Sequence, residues 1–295
     1  MKHAFRLKMA KQKGESLARE RGIVSLPVDP FAIAADHNIM VEPKPETERG
    51  VSGMLLRHGD AFGIMYATHI PNEGYQRFSI GHELGHYFLE GHIDHVLPED
   101  GIHASDAGFV SADLYELEAD HFSAGLLMPS SLFNESLSRF GQGLAAIEAT
   151  AGLARTSLTA TAIRYAELTD DATAVVMSTG KIIDYCFLSD TIKSLPQLTW
   201  LRKSTPVPAG TATAKFNADP GRVMNADRIE SDIDIMDWLG GARSVEAVEE
   251  VIGLGSYGKT LTVLTCPSLL NETHQDEDED EDAYLEERWT PRFRR

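Results

Sequence analysis

The sequence predicts an α+β fold made of a helix-rich N-terminal part and a smaller C-terminal part. Helical spacing of apolar residues dominates up to residue 168, interrupted by short strand-like runs between residues 39 and 66. After residue 170 the composition shifts to strand-forming residues, and hairpins are predicted at residues 174–187, around a turn at 178–181, and at residues 251–265, around a turn at 256–259. The chain has 295 residues, which suggests two domains, and 42% hydrophobic and 24% charged residues are ordinary values for a globular protein.

The N-terminal segment is predicted to be helical. Residues 4–21 indicate one or two amphipathic helical pieces with an interruption near Gly14, because glycine is a poor helix former. Asp29 can cap free amides and Pro30 suits the first position of a helix, so a short helix should run to about His37.

Three strand-like runs follow. Residues 39–43 predict one strand, and residues 51–56 and 61–66 predict a hairpin around a turn at residues 57–60. Residues 71–74 are predicted to form a loop that leads directly into the next predicted helix.

That helix, residues 76–90, carries the pentapeptide HELGH. At about 100° per residue, His86 lies about 40° around from His82 and one turn along, so both imidazoles point the same way. Two neutral imidazoles suit Zn²⁺, and Glu83 lies where a carboxylate could act as general base on a water. A short motif of this kind needs a third ligand before it indicates a metal site.

A second predicted helix, residues 111–128, offers that ligand. Glu116 and Asp120 fall on one face at i and i+4, beside a mainly apolar stripe. Two carboxylates facing a core are costly unless a positive charge compensates them. We therefore expect Glu116 to be the third ligand and Asp120 to accept a hydrogen bond from a ligating histidine. Glu118, off that face, is the alternative ligand.

The segment between the two helices, residues 91–112, shows no clear period and is interpreted as a loop, a candidate lid. Its histidines, His92, His95 and His103, are interpreted as surface residues. Peptide hydrolysis would also need a donor for the developing oxyanion, and the sequence leaves four candidates open. They are Tyr75, Tyr87, His103 and His121.

Three stretches resemble the ImmA/IrrE family of metallo-endopeptidases. They are PVDPFAIA at residues 27–34, RFSIGHELGH at 77–86 and ELEADHFSAGLLMP at 116–129, within a match that covers about residues 20–170. The resemblance implies a zincin-like core and a bacterial or phage cytoplasmic zinc protease. Such proteases cleave helix-turn-helix repressors and so release genes for stress response or mobile-element transfer.

Carried over by position, the resemblance implies that His82, His86 and Glu116 bind the metal and that Glu83 is the catalytic acid/base. The family often has asparagine where this chain has Asp120; either side chain can hydrogen-bond a ligating histidine. It often has histidine near position 90, where this chain has Glu90.

The predicted domains are a zincin-like metallopeptidase domain with a helical extension at 1–170 and a small α+β domain, a candidate sensor, at 171–270. Residues 271–295 are predicted to be an acidic, disordered tail, because 276–282 is an unbroken run of Asp and Glu. Within the extension, residues 145–165 loosely suggest helix-turn-helix spacing. Packing is the favoured interpretation, since Arg155 and Arg164 are too few for a phosphate footprint.

Charge and cysteine content exclude several function classes. The net charge of −18 argues against direct nucleic-acid binding, although residues 1–22 carry seven Lys/Arg against two Glu. Cys186 and Cys266 are too few for a disulfide framework and are expected to be buried free thiols. No secretory signal and no membrane-length apolar stretch is present, so a cytoplasmic location is expected.

The motifs thus predict a zinc-dependent endopeptidase, with Mn²⁺ as an alternative metal. The resemblance implies that its substrate is a helix-turn-helix repressor encoded nearby. The alternative function is a non-catalytic, metal-bound regulator that acts by binding a repressor or antitoxin partner.

Overall fold

The computed structural model describes residues 2–44, 51–99, 101–105, 113–267 and 269. The chain divides into two compact units. The first comprises Met1–Gly141 and Ala145–Arg164, and the second comprises Gln142–Leu144 and the chain from Tyr165 onward. Each unit combines helices with a sheet, so the predicted α+β class is confirmed.

The first unit holds eight helices and four strands among its described residues, counting α7, whose first two residues belong to the second unit, and α8, whose last four do. They are α1 (Lys2–Glu20), α2 (Pro30–Asp36), β1 (Met40–Pro43), β2 (Gly53–His58), β3 (Ala61–Tyr66), α3 (Glu73–Phe88), α4 (His92–Val96), β4 (Ile102–Ser105), α5 (Leu114–Leu127), α6 (Ser130–Phe140), α7 (Gly143–Ala154) and α8 (Leu158–Leu168). The strand order in the sheet is β1-β3-β2-β4. β1 pairs parallel with β3, and the other pairs are antiparallel, including the predicted β2–β3 hairpin.

The N-terminal helix α1 is continuous, so the predicted interruption at Gly14 was wrong. Gly14 lies against α5, where a Cβ atom would overlap the backbone carbonyl of Phe122. Gly125 on α5 faces α1 in the same way, against the carbonyl of Lys11. Glycine is therefore used here for close approach of two helix backbones, and the packing outweighs its low helix propensity.

The helices α3 and α5 also pack closely. A Cβ atom at Gly85 would lie 3.0 Å from the Cα atom of Ala119, which brings the two backbones together. Asn72 caps α3 by accepting from the Tyr75 amide, and Asp113 caps α5 by accepting from the Tyr115 amide. One apolar core joins these helices to the sheet. It includes Leu55, Ile64, Ile80, Leu84, Phe122 and Leu126.

Residues 91–112 are not a simple loop. They contain the short helix α4 and the strand β4, which forms an edge of the sheet by pairing with β2. The strand was missed because it is only four residues long and carries a histidine between apolar positions. Residues 100 and 106–112 lie outside the described part of the chain, and the suggestion of a lid is therefore confined to the residues around α4 and β4.

The second unit is built on an antiparallel sheet with the strand order β6-β5-β9-β8-β7. Its elements are β5 (Thr173–Thr179), β6 (Ile182–Leu188), α9 (Asp190–Lys193), α10 (Ala212–Asn217), α11 (Pro220–Met224), β7 (Arg228–Asp234), α12 (Met236–Leu239), β8 (Glu246–Gly253), a 3-10 turn (Gly255–Tyr257) and β9 (Thr260–Thr265). Both predicted hairpins, β5–β6 and β8–β9, are present. The predicted acidic tail lies outside the described residues. No helix among those described is long and apolar enough to cross a membrane.

Candidate metal centre

The helix α3 brings two imidazoles to one buried point. His82 and His86 are both fully buried, and their Nε2 atoms lie 3.0 Å apart. The i, i+4 spacing on a helix produces this convergence, as the sequence predicts.

Glu116 on α5 completes the group. One of its carboxylate oxygens lies 3.2 Å from Nε2 of His82, and the other lies 3.4 Å from Nε2 of His86. Two ligands on a tetrahedral zinc ion, with bonds of about 2.0–2.1 Å, stand roughly 3.3–3.4 Å apart. The three donors therefore have the spacing and chemistry to hold such an ion.

Each histidine has a partner on its other ring nitrogen. Nδ1 of His82 lies 2.8 Å from Oδ1 of Asp120, as the helical-wheel argument predicts. Nδ1 of His86 lies 3.2 Å from Nδ1 of His92. Outer contacts of this kind fix the ring orientation and the tautomer of a ligating histidine.

His92 is not a surface residue, contrary to the sequence interpretation. It is 2% exposed, and its Nε2 lies 3.2 Å from Glu118. Glu118, the alternative ligand, instead accepts two hydrogen bonds of 2.6 Å from Arg6 on α1. The run of histidines after α3 is the one sequence signal that could have pointed to His92; Arg6 has no local signal.

Glu83 points toward the same site from α3 and is fully buried. Burial raises the pKa of Glu83 to about 7, against the opposing charges of nearby histidines. Ser105 on β4 interacts with this carboxylate, yet neither oxygen accepts a hydrogen bond of normal geometry from a described residue. An unsatisfied buried carboxylate is costly, so a water or a substrate group is its natural partner.

Of the four candidate donors, His103 lies at the site. Its Nε2 lies 3.0 Å from Glu116, and its side chain is 15% exposed, which corrects its interpretation as a surface residue. It also forms a second group with Glu83 and His86 whose candidate ligand atoms lie within 4.8 Å of one another. His95, in contrast, is half exposed and stacks on Tyr115.

The other three donors are less well placed. Tyr87 packs edge-on against Phe62 and Phe88 in an aromatic cluster. Tyr75 precedes His82 by seven residues, which is about 10 Å along the helix axis. His121 lies about 140° around α5 from Glu116.

The electrostatics of the three donors differ. Burial lowers the pKa of His86 to about 3, so this ring is neutral. Burial also opposes protonation of His82, but its hydrogen bonds to Asp120 and Glu116 outweigh that effect and raise its pKa to about 10. Burial would raise the pKa of Glu116, but the close approach of Nε2 of His103, His82 and His86 holds it below the ordinary carboxyl range. A metal at Nε2 of His82 has to displace a proton.

Comparison with known proteins finds a family match over the stretch of chain that holds this site. Residues 34–163 match the sequence model of peptidase family M78, described as the IrrE N-terminal-like domain. Among curated protein sequences, no relative matches. Among solved structures, a Mycobacterium tuberculosis transcriptional regulator is similar at a TM-score of 0.53 and 14% identity, over 87% of each chain, which shows a shared fold. The chain therefore carries, over residues 34–163, an IrrE N-terminal-like domain of the metallopeptidase-type M78 family.

Proposed function

We propose that this protein is a zinc-dependent endopeptidase that cleaves a helix-turn-helix repressor and thereby derepresses stress-response or mobile-element genes. The observation that carries the proposal is the convergence of His82, His86 and Glu116 on one point, with the unsatisfied carboxylate of Glu83 beside it. Two imidazoles and a carboxylate suit Zn²⁺, and Mn²⁺ is the alternative.

A divalent metal on these three donors would supply a Lewis acid that polarises a carbonyl and lowers the pKa of a water to about 7. Glu83 takes the proton of the attacking water as that water adds to the scissile carbonyl carbon. Glu83 then passes the proton to the amide nitrogen, so the C–N bond breaks and a neutral amine leaves. The burial of Glu83 excludes bulk water from the path of this proton.

We assign the donor for the oxyanion to His103. It lies on the edge strand β4, and it shares the site with Glu83 and His86. An N–H of this ring, directed at the carbonyl oxygen, would stabilise the charge that develops on it in the transition state.

The substrate class rests on the resemblance of three sequence stretches to the ImmA/IrrE family. Members of that family cleave helix-turn-helix repressors, and this chain has the same motifs in the same order. A small helix-turn-helix protein encoded beside this gene is thus the first substrate to test. The cytoplasm, where such repressors act, is the expected location.

The test is incubation of the purified, Zn²⁺- or Mn²⁺-loaded protein with that repressor, followed by gel electrophoresis and mass spectrometry of the products. Wild-type protein should shorten the repressor at a defined bond. The Glu83→Gln variant should bind metal normally and lose about 10²- to 10⁴-fold in rate, because only the base is removed.

Glu73→Gln is the matched control, since Glu73 lies on the same helix but forms a half-exposed ion pair with Arg155. Its rate should equal that of the wild type, because exposed ion pairs contribute little. Cleavage by metal-loaded Glu83→Gln at the wild-type rate would contradict this mechanism. A stable complex in which the repressor keeps its full length would instead identify the protein as a non-catalytic regulator.

A further inference from the structure

We infer that Arg6 is a positioning residue for the metal centre, acting through Glu118 and His92 on the ligand His86. This inference rests on the proposed metal site. It adds to the site a residue of α1, which lies outside the stretch that matches the family.

The direction of the first hydrogen bond follows from the role of His86. Its Nε2 faces His82 and Glu116, so the lone pair of that nitrogen is the one offered to a metal. A neutral imidazole then carries its proton on Nδ1. That N–H points at Nδ1 of His92, 3.2 Å away, which must therefore accept.

The second hydrogen bond follows from the first. Because Nδ1 of His92 accepts, the proton of this neutral ring sits on Nε2. Nε2 lies 3.2 Å from Oε2 of Glu118 and donates to it. The only arrangement that satisfies both contacts of His92 is thus a chain directed from His86 to Glu118.

The last link holds the carboxylate in place. Nε and one terminal nitrogen of Arg6 donate to the two oxygens of Glu118, each at 2.6 Å, which is a bidentate fork. The guanidinium also lies over the ring of Tyr115, 5.0 Å from its centroid. The fork fixes the plane of a carboxylate that is nearly buried, whereas Arg6 itself is 41% exposed.

These contacts give α1 a role beyond packing. Without Arg6, Glu118 would carry a buried negative charge with no other Lys or Arg paired with it among the described residues, and its oxygen could turn away from His92. Arg6 prevents both, so the ring of His92 keeps its acceptor nitrogen toward His86. Ligand partners of this kind typically change metal affinity by about 10- to 100-fold when they are removed.

The experiment measures the Zn²⁺ affinity of the full-length protein by competition with a chromophoric chelator, and records the absorption spectrum of the Co²⁺ form. Arg6→Ala and His92→Phe should each weaken Zn²⁺ binding about 10-fold or more. His92→Asn should stay close to the wild type, because its amide oxygen can still accept from His86. The Arg6→Ala/His92→Phe double variant should lose no more affinity than His92→Phe, since both residues act through one chain.

Arg19→Ala is the matched control on the same helix. Among the described residues, the side chain of Arg19 hydrogen-bonds to Ser16, on its own helix, and not to the metal site. It should leave Zn²⁺ affinity and the Co²⁺ spectrum unchanged, and circular dichroism should show all variants folded.

A wild-type protein that binds no metal would overturn the proposed function itself. Wild-type binding and cleavage with Arg6→Ala and His92→Phe within twofold in affinity would overturn only this inference. Equal losses in His92→Asn and His92→Phe would do the same, since they would indicate a packing role.

Discussion

Nδ1 of His82 and Oδ1 of Asp120 lie 2.8 Å apart, in a fully buried contact that joins helix α3 to helix α5. In the proposed metal site, this contact orients the ring whose Nε2 would bind the metal. Asp120→Ala should therefore lower Zn²⁺ affinity by about 10- to 100-fold. Asp120→Asn should lower it less, because an amide oxygen still accepts from Nδ1–H. Chelator competition measures both.

Asp36→Ala serves as the control for that pair, since Asp36 is exposed and forms an ion pair with Arg21 away from the site. Its Zn²⁺ affinity should match the wild type. Equal affinity in Asp120→Ala and Asp120→Asn would show that the hydrogen bond to His82 does not orient the ligand.

A second prediction concerns the packing of α1 on α5. Gly14→Ala should reduce the free energy of unfolding by about 1–3 kcal/mol, because its methyl group would overlap backbone atoms of α5 that cannot move aside. Gly152→Ala is a control for which the free energy of unfolding should change in the opposite direction. Gly152 lies inside the helix α7 with open space at its Cβ position, so alanine should stabilise by about 0.5–1 kcal/mol. Urea denaturation of both variants measures the difference, and destabilisation of equal size would contradict the packing argument.

The two helices that carry the candidate metal ligands could be predicted from sequence because their signal is local. The period of 3.6 residues places His82 and His86 on one face of a helix and Glu116 and Asp120 on one face of another. The two carboxylates facing the core indicate that a positive charge lies beside them. The structure brings these four side chains together.

The outer part of the site could not be predicted in the same way. Arg6 and Glu118 are 112 residues apart, and nothing in the spacing around either residue indicates the other. His92 and His103 lie in short elements, α4 and β4, where periodicity has too few residues to be visible. Their roles depend on which side chains the tertiary fold places beside them.

The second unit was also only partly predictable from its sequence. Its two hairpins have strong strand and turn signals, and both were predicted. The edge strand β7 has only two apolar residues among charged and polar ones, which is the polar character of a sheet edge, so it was missed. Glu249 lies on strand β8 and is fully buried, and its carboxylate accepts hydrogen bonds from the Ala212 and Thr213 amides at the start of α10. The tertiary structure is needed to show that Glu249 caps the start of the helix α10.

A third prediction uses the two cysteines. Cys266 is buried and Cys186 is half-buried. Burial raises the pKa of both thiols to about 12, so each stays protonated at pH 8. Native protein should thus react very slowly with iodoacetamide at pH 8, and the rate should keep rising well above pH 9. Mass spectrometry after timed alkylation checks this. Urea-unfolded protein is the control and should be alkylated rapidly at both sites; rapid labelling of the native protein at pH 8 would contradict the raised pKa values.

The final prediction separates two roles for His103. Its Nε2 lies 3.0 Å from Glu116, so this ring could either donate to the oxyanion or join the metal ligands. If it is the donor, His103→Phe should keep Zn²⁺ affinity and lower kcat by about 10²- to 10³-fold, while His103→Gln, which retains an N–H, should lose less. A large fall in Zn²⁺ affinity in His103→Phe would identify a ligand instead. His58→Gln is the control, because His58 is exposed at the end of β2, and its kcat should match that of the wild type.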